Sequence, residues 1–171
     1  MNQKITPDFE ERLAVVWASF DDYDGGREAE FRVMVDELVS ELPDDNPVVA
    51  FERACAFDST GHSDKAVPLY QEALARGIDG YRARRTKIQL ASSLRNTGRA
   101  EEGVALLTPE LDAPSDELDD AVRAVLALCL ASLGREREGL SLVLGALARH
   151  LPRYQRSMKN YARALVEPED S

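Results

Sequence analysis

Apolar residues recur along most of the chain at intervals of three and four, the spacing of one face of an α-helix, and nowhere alternate with polar ones long enough to argue for a strand. Phe9, Leu13, Val16, Trp17 and Phe20 set the pattern over 7–20, and Phe31, Met34, Val35, Leu38 and Leu42 continue it over 27–42. Further helices are predicted over 47–60, 63–76, 81–97, 100–108, 115–133, 136–150 and 152–166. Thr6-Pro7 and Asn46-Pro47 pair an N-cap side chain with a first-turn proline. The acids at 116, 117, 119 and 120 suit the positive end of a helix. Pro68, about a turn inside its helix, is expected to bend it slightly.

The helices come in pairs with a fixed period. Gly26, Gly61, Gly98 and Gly134 are 35, 37 and 36 residues apart. Seven residues before each stands a small side chain (Ser19, Ala54, Ala91, Ala127), and nine after each a large apolar one (Val35, Tyr70, Leu107, Val143). Five after the last three come Ala66, Gly103 and Gly139. A glycine after a helix takes the left-handed conformation cheaply, and small residues let two antiparallel helices approach closely. Each period is therefore a helical hairpin that buries its apolar face only by stacking on neighbours. The expected organisation is one domain over 1–171: a degenerate hairpin at 7–42, repeats at 47–78, 81–113 and 115–150, and a capping helix at 152–166. In that cap Tyr154, Met158, Tyr161 and Leu165 form the apolar stripe, and Arg153, Arg156, Lys159 and Arg163 the wet face.

These residues resemble the tetratricopeptide repeat family. The segment 51–76 places Ala54, Phe57, Gly61, Ala66, Tyr70 and Ala73 where that family has its signature positions. Residues 88–107 match through Ala91, Leu94, Gly98 and Leu107, and 127–148 through Ala127, Gly134, Gly139 and Ala146. The whole is similar to small stand-alone bacterial members. Three departures stand out: the first-helix Trp-x-x-Leu-Gly is missing, Pro109 and Glu110 cut the second helix of repeat two short, and Phe31 stands where a small residue belongs in the first hairpin. The resemblance implies an all-α, right-handed superhelix of antiparallel hairpins with a C-terminal capping helix. It also implies a protein–protein interaction module that binds a peptide or helix on the concave face of its first helices.

Spacing from each glycine selects the residues on that face. Repeat two contributes Arg85, Gln89, Ser92, Arg95 and Asn96, a row suited to gripping carboxylates, since a guanidinium donates two parallel hydrogen bonds. The other reading of this row is a solvated basic helix paired with acids of its neighbours. Phe51, Val125 and Leu128 are expected as apolar walls. Leu13, Val16, Trp17, Phe20 and Tyr23 form a second stripe on helix one. It either packs inward on its own hairpin or meets a second copy in a homodimer.

Composition narrows the chemistry. Of 171 residues, 31 are acidic and 21 basic, a net charge of −10 that disfavours nucleic acid and anionic membranes. The bases cluster: between Arg76 and Arg99 seven bases face a single acid, Asp79. An anion or nucleic-acid regulator working through 76–99 is thus the alternative function, against which stand the net charge and the lack of interleaved aromatics. His62 and His150 lie in different hairpins without a second ligand at helical spacing. Cys55 and Cys129 are separated by a whole repeat, which suits small packing residues in a reducing compartment. A calcium loop begun at Asp22 would end at Val33, which supplies no carboxylate. The expectation is a cytoplasmic protein with no catalysis, metal or cofactor.

Overall fold

The structure, a computed structural model, describes residues 5–167. Its regular elements are all helical among those residues. They divide into two compact units that meet between Thr86 and Lys87, inside one helix. The division falls within repeat two as spaced by the glycines, not between repeats.

The first unit holds α1 (Pro7–Ala18), a short 3-10 turn (Phe20–Tyr23), α2 (Glu28–Val39), α3 (Pro47–Ser59), α4 (Ser63–Ala75) and the start of α5 (Gly80–Asn96). Both proline starts are capped as expected. Thr6 Oγ1 accepts from the Phe9 amide at 3.2 Å, and Asn46 Oδ1 from the Val48 amide at 3.0 Å. Pro68 sits inside α4 without ending it. Helix α3 packs on both α2 and α4, which is why Val48, Val49, Ala50, Phe51, Ala54, Cys55 and Ala56 are all buried. Beneath α1 the ring of Phe31, fully buried, is surrounded by Trp17, Phe20 and Tyr23 at centroid distances of 5.2, 4.9 and 5.8 Å. The large residue in place of a small one is thus the hub of the degenerate hairpin.

The second unit holds the rest of α5, α6 (Ala100–Leu107) with a 3-10 turn (Thr108–Leu111), α7 (Asp119–Ser132), α8 (Glu136–Ala148) and α9 (Gln155–Ala164). Helix α6 stops early as Pro109 and Glu110 imply. Glu110 is nevertheless buried, and Lys87 Nζ pairs with it. Helix α7 begins later than the acidic run suggests. Asp116 and Asp119 instead accept backbone amides of Leu118 (2.7 Å) and Asp116 (3.3 Å), so the acids build the turn before the helix.

Three repeat glycines close their first helices in the same way. The residue after each donates back five positions, His62 to Phe57, Arg99 to Leu94 and Arg135 to Leu130. The glycine amide donates back three. This double bond requires a left-handed residue, and φ is +79° at both Gly61 and Gly98, and +73° at Gly134. The small positions mark helix crossings. A Cβ on Gly103 would meet Cys129 Sγ at 2.8 Å and the Ala91 carbonyl at 3.1 Å, and one on Gly139 the Ala127 carbonyl at 2.8 Å.

The cap differs from its expected face. Met158, Ala162 and Leu165 turn inward, whereas Tyr154 and Tyr161 are 72% and 60% exposed. Tyr154, not Pro152, immediately precedes the helix, with φ +68°. The small Ala162, not Tyr161, lies against α8.

Candidate functional site

In the first unit the polar residues cluster around one buried carboxylate. Glu52, 3% exposed, is the one charged residue among the buried positions of α3. The Trp17 indole N–H donates to its Oε2 at 2.9 Å, and Arg82 Nε lies 3.5 Å from its Oε1. Burial pushes the Glu52 carboxyl above its ordinary value, while the Trp17 bond and the charges of Arg82 and Arg85 oppose that shift. Arg82 also donates two parallel bonds to Glu10, at 2.8 and 2.7 Å, which hold the Glu10 carboxyl below its ordinary range. An open cavity of about 630 Å³ adjoins the network, with Val48, Tyr81, Arg82 and Arg85 on its wall.

This arrangement places several sequence-selected residues. The Arg85 guanidinium lies over the Phe51 ring at 5.2 Å and reaches the cavity. Phe51 itself is fully buried and offers no wall to a partner. Leu13 is buried, and Val16, Trp17, Phe20 and Tyr23 pack against the core of the first unit. Within the chain the stripe on helix one packs on its own hairpin, with Phe31 beneath it and Glu52 holding the indole. Spacing puts Glu52 at a groove position of repeat one and Arg82 in the basic segment, but it does not join them, and Glu10 it does not select at all. An acid one position from a buried Phe looks like any groove residue until the Trp17 contact is seen.

The second unit carries the rest of the polar row. Gln89, Ser92 and Arg95 are half-buried on α5, and Asn96 is exposed at its end. Arg95 Nε donates to Ser132 Oγ on α7 at 3.2 Å, and its Nη1 to Asn96 Oδ1 at 2.9 Å. Both acceptors are neutral, and no carboxylate pairs with Arg95 among the described residues. Beside it on α7, Val125 is half-buried against the core and Leu128 is 48% exposed.

Most other bases of 76–99 are neutralised by this chain's own acids. Arg76 pairs with Glu72, Arg82 with Glu10 and Glu52, Lys87 with Glu110, and Arg99 with Glu102. Arg84 is buried. A polyanion would have to compete with bonds already made.

Cys55 and Cys129 are buried and unpaired with each other, and burial raises the Cys129 thiol. His62 Nδ1 lies 2.7 Å from the Thr60 carbonyl, and His150 Nε2 2.9 Å from Asp120. No group of three or more His, Cys, Asp or Glu that could hold a metal occurs among the described residues. Nor is any helix among them long and apolar enough to cross a membrane.

A family model described as a tetratrico peptide repeat matches residues 47–165. No curated protein and no solved structure matches the chain. The matched span opens with α3 and closes just after α9, leaving the degenerate hairpin outside it. It takes in all three glycine-closed hairpins, their close helix crossings and the cap, more than half of the sequence, and by that match the chain belongs to the tetratricopeptide repeat family.

Proposed function

We propose that this protein is an interaction module whose second unit captures a partner peptide on the adjoining faces of α5 and α7. Membership of the repeat family supports the general role of binding other proteins. One observation supports the location: Arg95 spends its donors on neutral oxygens of Ser132 and Asn96 while half-exposed Leu128 stands nearby on the same unit. A guanidinium held in place without a carboxylate can exchange those neutral contacts for a charged one. Leu128 would bury an apolar side chain of the same peptide. Gln89 and Ser92 stand on the same helix to bond the peptide backbone.

The test is recovery of a bound protein from a lysate, identification by mass spectrometry, and titration of that partner against variants. Arg95→Ala with Leu128→Asp should weaken the complex by about tenfold or more, because a hydrogen bond to a charged group is worth roughly 1.5–3 kcal/mol. Helicity should be unchanged, both side chains being at the surface. Undiminished capture by the double variant removes this face from the binding site.

A further inference from the structure

The geometry points to a second docking site, a basic groove between α8 and α9 that takes an acidic amphipathic helix. The groove has a volume of about 700 Å³. Four cations line it, Arg123 from α7 and Arg156, Lys159 and Arg163 from α9, and no carboxylate does. In a chain with 31 acids and 21 bases such a one-sign lining is out of keeping with the average surface. Arg156 and Lys159 make no ion pair among the described residues. Arg163 donates only to the neutral Asn160 Oδ1, at 2.7 Å. Arg123 reaches Asp119 and Asp120 only loosely, at 3.9 and 3.7 Å, and Asp120 is already bonded by Arg149 and His150.

Between the cations the groove is open and has an apolar strip, beside the neutral polar side chains of Ser141, Gln155 and Asn160. Leu142 and Gly145 of α8 contribute, and a Cβ built on Gly145 meets nothing within 4 Å. Gly103 and Gly139 are small because another backbone presses on them. Gly145 is small with empty space above it, and it forms a notch. Val166, 51% exposed, stands at the rim. The wall is firmly placed: Ser141 Oγ donates to the Ala162 carbonyl at 2.7 Å and Arg137 Nε to the Leu165 carbonyl at 3.3 Å, fixing the end of α9.

A partner matching this surface carries aliphatic side chains at helical spacing for the notch and Asp or Glu on the flanks for the cations, the helix-in-groove mode of recognition. Nucleic acid fits less well. The lining contains no aromatic side chain, and Tyr161 stands roughly 160° around α9 from Arg163. The site is separate from the α5–α7 face.

The probe is a fluorescein-labelled amphipathic peptide with glutamates on one face and leucines on the other, followed by anisotropy against the full chain. Binding should weaken as salt is raised. Arg156→Glu with Lys159→Glu should lower affinity by about tenfold or more, and Gly145→Leu, which fills the notch without touching charge, should do likewise. Arg95→Ala should leave this binding unchanged. The groove is overturned by no binding to the unaltered protein, by undiminished binding to both groove variants, or by equal binding of the glutamine version of the peptide. Single-stranded DNA bound as tightly as the peptide also overturns it. Loss with Arg95→Ala alone would assign the peptide to the α5–α7 face and leave that reading standing.

Discussion

Replacing Phe31 with alanine is expected to destabilise the first unit by about 3–5 kcal/mol, the range for deleting a fully buried aromatic ring. Three aromatic rings lose their common neighbour at once, since Trp17, Phe20 and Tyr23 all contact Phe31. Edge-to-face pairs add roughly 0.5–1.5 kcal/mol each beyond their buried area. The collapse would also loosen the indole that donates to Glu52, so a buried carboxylate loses a partner. Urea unfolding followed by Trp17 fluorescence reads the effect directly, this being the chain's single tryptophan. A midpoint within error of the parent protein would mean that α1 and its turn do not pack on Phe31 in solution.

The second large effect concerns two glycines of one helix and has opposite signs. Gly139→Val should destabilise the second unit by about 2–3 kcal/mol, because the new Cβ would fall 2.8 Å from the Ala127 carbonyl oxygen and 3.3 Å from its Cα. Those atoms are backbone and cannot swing aside, so α8 must move off α7. Gly145→Ala, six residues on, enters open space and should stabilise by up to about 1 kcal/mol through helix propensity alone. Both changes remove a helical glycine, and the lower helix propensity of valine accounts for at most about 0.7 kcal/mol of the difference. Two stabilising results, or two equal losses, would refute the α7–α8 crossing at Ala127.

How much of this was legible beforehand depended on which physical constraint wrote the residue. The repeat glycines were visible because three of them serve one backbone geometry, and only glycine adopts it without strain. Gly77 closes α4 with the same pair of bonds, to Ala73 and Leu74, yet lies off the period and goes unnoticed in the spacing. Small residues at crossings were visible for a similar reason, since each answers to one close contact. Facing was less legible. Helix α3 is buried on two sides, so position alone does not separate Phe51, which is interior, from a groove wall. The role of Glu52 was hidden because its partners, Trp17 and Arg82, are 35 and 30 residues away in sequence and belong to other hairpins. Spacing rules describe one helix at a time. In α9 the small Ala162 takes an inward position while Tyr154 and Tyr161 stay exposed, a choice that a spacing rule favouring large apolar residues does not make.

Within each unit, helices touch mainly those next to them in sequence: α1 with α2, α2 with α3, α3 with α4, and likewise α6 with α7, α7 with α8 and α8 with α9. Such a chain of neighbours confines damage. A misfit at one interface is felt by the two helices that share it, while the remaining interfaces keep the surfaces they had. Substitutions can therefore accumulate at one end of a unit and remodel the surface there without renegotiating the other end. At the end of the second unit α9 packs on α8, and there the architecture leaves recognition free to diverge without disturbing α6 and α7.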